Sequence, residues 1–197
     1  MKILKNIFKK KQKTTSKNEI KKEDISLSLD ELFVKNFIDK GGRFLYCSTL
    51  EEVSQHLVDI LNENHWTCIN CLDKKNLSKL TDALSIEIDD DKAQKKPVFT
   101  TCEHLISDTG SILFSSNQLN EIKISNLSDN FIVFAKTSQI VKNMGEGLTG
   151  IKSNFKENIP TNICAIKNFE PERDEDNFLS VENSNSKNLY LLLFEDF

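Results

Sequence analysis

No stretch of this 197-residue chain approaches the about 18 consecutive apolar residues that a membrane-spanning helix needs, so none is expected. No G-x-x-x-x-G-K-[ST] loop is present, which leaves nucleotide binding of the P-loop kind without support. The five cysteines, Cys47, Cys68, Cys71, Cys102 and Cys164, form no run of the iron–sulfur type. Their odd number, without a secretory signal, points to reduced thiols in the cytoplasm. An excess of basic charge is missing from most of the chain. The formal net charge is −4, yet residues 1–25 hold nine Lys against Glu19, Glu23 and Asp24, which makes that segment +6 and the remainder −10. An acidic body argues against a nucleic-acid partner, which would require a basic face.

What is present divides into two parts. Residues 1–26 read as a basic, low-complexity, flexible leader. Ile3, Leu4, Ile7 and Phe8 would share a helical face flanked by lysines, enough for weak contact with an anionic membrane surface. Residues 27–197 read as one folded domain. Leu29, Leu32, Phe33 and Phe37 recur at helical spacing, and Gly41-Gly42 stops that helix. A strand follows at 43–48. The next helix is capped by Ser48 or Thr49 and carries Val53, Leu57, Ile60 and Leu61. A strand at 67–72 and a short helix at 76–84 come next, then a solvated turn at Asp89-Asp90-Asp91. A strand at 96–101, an Asp108-Thr109-Gly110-Ser111 turn and residues 112–116 suggest a hairpin-like pair. Residues 130–135 are almost wholly apolar, as in a buried parallel strand. Thr137-Ser138 then reads as the cap of a helix through Ile140, Val141, Met144, Leu148 and Ile151. Residues 162–166 and 189–194 read as two further buried strands, with a polar acidic stretch between them. The alternation of strands and helices predicts an α/β class with a mainly parallel sheet flanked by helices.

Several chemistries can be weighed on these residues. Asp-Thr-Gly-Ser is also the aspartic protease motif, but that chemistry pairs two Asp in a nearly all-β fold, and this chain has helices and one copy. Cys68 and Cys71 have C-x-x-C spacing, but strand alternation sends their sulfurs to opposite faces and no second pair completes a zinc site. Cys102 and His104 are close in sequence without being placed for contact on a strand, so the plain reading is a core thiol beside a turn histidine. His56 and His65 read as surface or helix-capping residues. Asp89, Asp90 and Asp91 would splay apart, so no metal site is predicted. The start of the helix expected at Thr137 offers free N–H groups at the carboxyl end of a parallel strand, a natural anion pocket.

Three blocks carry a resemblance. Cys102-Glu-His-Leu-Ile-Ser-Asp-Thr-Gly-Ser-Ile-Leu, Asn130-Phe-Ile-Val-Phe-Ala-Lys-Thr-Ser-Gln-Ile-Val and Ile159-Pro-Thr-Asn-Ile, with the closing Leu-Tyr-Leu-Leu-Leu-Phe-Glu-Asp, resemble the LUD domain, the family of lactate-utilisation protein C. The likeness spans about residues 27–197 and is strongest with short bacterial stand-alone members. It implies a NagB/RpiA/CoA transferase-like fold and a role in oxidising L-lactate to pyruvate beside iron–sulfur partner subunits, which would hold the clusters, with no cofactor on this chain. The expected ligand is a small carboxylate or phosphate, held by Glu103, Asp108, Thr109 and Gly110 on the turn and by Lys136, Thr137 and Ser138 at the helix start. One departure stands out. Where family members carry Gly-Pro-Ser-x-Thr-Ala-Asp-Ile-Glu and a later Gly-x-His-Gly-Pro, this chain has Asn168-Phe-Glu-Pro-Glu-Arg-Asp-Glu-Asp and Glu182-Asn-Ser-Asn-Ser-Lys. That departure motivates a second expectation, a non-catalytic interaction module with a degenerate pocket.

Overall fold

Two rows of apolar side chains, on opposite faces of one β-sheet, organise the molecule. The structure, a computed structural model, describes residues 27–81, 87–88, 96–170 and 186–196. The basic leader, the three consecutive aspartates and most of the acidic stretch before the last strand lie outside the described residues.

The first helix, α1 (Leu29–Asp39), buries Phe33, Val34 and Phe37 and ends before Gly41-Gly42, as expected. Strand β1 (Arg43–Cys47) follows, then α2 (Leu50–Glu63). The hydroxyl of Thr49 accepts from the Glu52 N–H at 3.1 Å and opens α2. His65, at φ +55°, closes it. The chain continues through β2 (Cys68–Cys71), α3 (Lys74–Thr81), β3 (Glu87–Ile88) and β4 (Val98–Thr100). After a small sheet described below come β7 (Asn130–Lys136) and, last, β10 (Asn188–Phe194). Six of these strands make one sheet in the order β1-β10-β7-β4-β2-β3, and every pairing in it is parallel.

The faces of this sheet follow the strand period of two. Phe131, Val133, Ala135, Leu189, Leu191 and Leu193 point into one core with Phe33 and Phe37 of α1. Ile132, Phe134, Tyr190 and Leu192 point into the other, against Val53, Leu57, Ile60 and Leu61 of α2 and Leu77 and Leu80 of α3. Both faces are covered, which explains the unbroken apolar runs in β7 and β10. Each fully buried Leu, Phe or Val contributes about 1.5–3 kcal/mol by leaving water.

The second sheet corrects three sequence expectations. Its strands are β5 (His104–Ile106), β6 (Ser111–Phe114), β8 (Ile140–Val141) and β9 (Cys164–Ile166), in the order β8-β5-β6-β9. The hairpin is therefore made by β5 and β6 around the 107–110 turn, and the strand expected at 96–101 belongs to the main sheet. No helix starts at Thr137. A short 3-10 turn, Thr137–Gln139, leads into β8, because Ile140 and Val141 pair with Leu105 and Ile106. The helix α5 (Met144–Asn154) begins later, where the Asn143 side chain accepts from the Glu146 N–H at 3.0 Å. Residues 164–166 form a strand antiparallel to β6, of which only Ile166 is buried. This small sheet sends Leu105, Ile112 and Phe114 toward the main sheet and Ile106 and Leu113 toward Ile151 of α5.

Helix α3 also starts two residues before the expected position, because Asp73 accepts from the Asn76 N–H at 3.4 Å and from the Leu77 N–H at 3.1 Å. Cys68 is half-buried and Cys71 buried, and neither is in a disulfide. Among the described residues no group of His, Cys, Asp or Glu could hold a metal ion.

Candidate functional site

The chain leaves β2 for its outer neighbour β3, but leaves β4 toward β7 on the other side. The crevice between the carboxyl ends of β2 and β4 is thus the switch point at which open parallel sheets take ligands. A cleft of about 980 Å³ opens there, at the upper end of the range for small-molecule sites. Residues following β2 (Asp73, Lys74, Lys75, Asn76), residues following β4 (Thr101, Cys102, Glu103) and the end of β7 (Lys136) line it. Asn117, Gln118 and Asn120 in and after the short helix α4 (Ser116–Leu119), with Gln139 and Phe155, also line it.

Asp73 is spent on the fold. The Thr101 hydroxyl donates to its Oδ2, and the Asn76 carboxamide donates to both oxygens, at 3.1 and 2.9 Å. Glu103 is held differently. Its Oε1 accepts from the Ser115 hydroxyl at 2.6 Å, Asn117 Nδ2 at 2.8 Å and Gln118 Nε2 at 3.1 Å. Among the described residues, Oε2 has no such partner. Gln139 ties the neighbouring strand ends together: its Nε2 donates to the carbonyls of Cys102 at 2.6 Å and Glu103 at 3.2 Å, and its Oε1 accepts from the Lys136 N–H at 2.7 Å. The backbones of the cleft's acid and of its β7 lysine are thereby fixed to one side chain.

Of the seven residues singled out from sequence, the cleft brings together two, Glu103 and Lys136. Thr137 and Ser138 sit next to Lys136, but their donors are occupied. Asp196 accepts from the Thr137 hydroxyl at 2.9 Å, the Ser138 N–H at 3.0 Å and the Ser138 hydroxyl at 2.7 Å. The anion expected at a helix start is thus a carboxylate of the chain itself, and the helix is absent. Partial burial pushes the Asp196 carboxyl up, but the Ser138 and Thr137 bonds, with Lys136 nearby, outweigh it and hold the group below its usual range.

Asp108, Thr109 and Gly110 lie elsewhere, on the face that meets α1. The Asn36 carboxamide donates to the carbonyls of Ser107 at 2.8 Å and Asp108 at 3.2 Å, and Lys40 Nζ donates to the Thr109 carbonyl at 2.5 Å. Gly110 has φ +63°, and a Cβ on it would sit 2.5 Å from the backbone of Asn36 and Phe37. The Asp-Thr-Gly-Ser turn is a docking point for a helix, and it does not line the cleft.

A Cys–His pair is also not formed. The Cys102 thiol is buried and its pKa is pushed well up by that burial and by Glu103. His104 turns away, with Nδ1 3.3 Å from the Gln139 carbonyl and its ring packed on Gly150 of α5. A carbonyl can only accept, so Nδ1 carries the proton in that bond.

Sequence reading missed Asp73, Gln139 and the Ser115–Asn117–Gln118 donors. Two of these had a local signal. Ser115-x-x-Gln118 has capping-box spacing, and its reciprocal bond is present, with Gln118 Oε1 accepting from the Ser115 N–H at 2.9 Å. Asp73 before Lys74 is a regular helix-capping residue. Gln139 bonds locally to Lys136, but its link to the strand end that carries Glu103 had no local signal, since those partners lie 36 and 37 residues away.

The LUD domain profile matches residues 30–194. A crystal structure of a DUF162 family protein from Deinococcus radiodurans is similar, with a TM-score of 0.59 and 15% sequence identity over 87% of this chain and 100% of that one. At that identity the likeness speaks for the fold. No curated protein matches the chain. A profile that runs from α1 to the last strand takes in both sheets and every wall of the cleft, and on that match the chain belongs to the LUD domain family.

Proposed function

We propose that the protein is a cytoplasmic accessory subunit of lactate utilisation, serving the oxidation of L-lactate to pyruvate beside iron–sulfur partner proteins, and that its cleft holds a small carboxylate or phosphate. Family membership supports the lactate connection. The observation that carries the ligand is the cleft itself. It stands at the switch point of a parallel sheet, with a fixed carboxylate at Glu103 and a lysine at Lys136. The clusters are assigned to partners because the five cysteines here are scattered through the sequence. Among the described residues no helix is long and apolar enough to cross a membrane.

A second reading, an interaction module without a ligand, is favoured by Asp196, which occupies the donors of Thr137 and Ser138. Two measurements separate the readings. Cells lacking the chain are assayed for lactate-dependent pyruvate formation, with return of the wild-type chain or of a Lys136→Met chain. The proposal expects loss of activity and rescue by wild type alone. Equal rescue by both favours the module, and unchanged pyruvate formation without the chain overturns the lactate role.

A further inference from the structure

Two carboxylates and three lysines line the cleft: Asp73, Glu103, Lys74, Lys75 and Lys136. The carboxylates differ in what remains of them. Both Asp73 oxygens are engaged by Asn76 and Thr101. Glu103 has one oxygen saturated by three donors and one facing no partner among the described residues. The three donors are a hydroxyl and two carboxamides, so they fix the direction of the carboxylate without neutralising it. Among the described residues no ion pair joins Glu103 to Lys136. The cleft therefore combines lysine side chains with one rigid, directional acceptor.

A plain anion drawn in by the lysines meets repulsion from that acceptor. An anion that also carries a hydroxyl or an ammonium group converts the repulsion into a hydrogen bond to a charged oxygen. We propose that the cleft selects anions bearing a hydrogen-bond donor, and that Oε2 of Glu103 is the atom that reads the donor. This deepens the proposed function and rests on the cleft being a ligand site. A hydrogen bond to a charged group corresponds to a preference of about tenfold to a hundredfold.

The test is calorimetry on the full chain with matched probes. L-lactate is compared with propionate, which lacks its hydroxyl, and with pyruvate, which has a carbonyl in its place. Glycerol 3-phosphate and propyl phosphate form the phosphorylated pair. Whichever pair binds, the hydroxylated member is expected to bind tighter by about tenfold or more. Glu103→Gln keeps an oxygen for the three donors and turns the open atom into an amide N–H. The preference is then expected to collapse to within about twofold, with pyruvate gaining on lactate. Equal affinity within the binding pair in wild type overturns the proposal, and this comparison does not depend on the variant folding. A preference that survives in folded Glu103→Gln also overturns it. Absence of binding by every probe at millimolar concentration overturns the cleft reading itself, a different failure from binding without preference.

Discussion

At the scale of single residues, the structure separates side chains that hold the fold from those that face the cleft. Gly110 belongs to the first group. Its positive φ and the 2.5 Å approach to the α1 backbone leave no room for a methyl group. Gly110→Ala is expected to cost about 2–3 kcal/mol in chemical denaturation while leaving cleft binding in the surviving folded protein intact. Asp196 also belongs to the fold, and its effect depends on pH. Its carboxyl is held below the usual range when folded, so the stability it adds is fully present above the unfolded pKa. That stability is lost as pH falls through the folded pKa. The melting temperatures of wild type and Asp196→Asn are expected to differ at neutral pH and to converge below about pH 4. A gap that widens in acid would contradict the assignment of the carboxylate as acceptor from Ser138 and Thr137.

Among elements, β8 and α5 show where local sequence and tertiary pairing part. Residues 137–151 carry apolar side chains at helical intervals, and taken alone they predict one helix. The small sheet captures Ile140 and Val141 at the side of β5, and the helix is postponed to the first residue with a good cap, Asn143. Asn143→Ala is expected to cost about 1 kcal/mol in urea denaturation through loss of that cap, whereas Thr137→Ala leaves α5 untouched. The long strands were legible because their period and burial agree: β7 and β10 alternate cleanly between two cores. β9 was legible at 162–166 and spans Cys164–Ile166, whereas β5 was not, because His104–Ile106 is too short to be told from the turn it leads into. The switch-point cleft was only partly legible. Glu103 and Lys136 are polar residues just after or at the end of an apolar strand, a visible signal. Asp108 to Gly110 gave an equally visible signal for a different reason, the demand of a tight turn against a helix.

For the molecule as a whole, the arrangement is a parallel sheet with its carboxyl ends left open and its two faces closed by helices and by a second small sheet. The small sheet does more than cover a core. It carries Glu103 at its edge and supplies Ser115 and the α4 carboxamides that hold it, while Gln139 ties it to the end of β7. The cleft is thus assembled from both sheets, and its geometry depends on their packing. The measurement that tests this most directly is an amide-resolved NMR titration of the full chain with L-lactate and with inorganic phosphate. Saturable shifts are expected at 72–76, 101–103, 117–120 and 136–139, with the 107–110 turn unmoved. Shifts centred on that turn, or no saturable shift at millimolar ligand, would contradict the account.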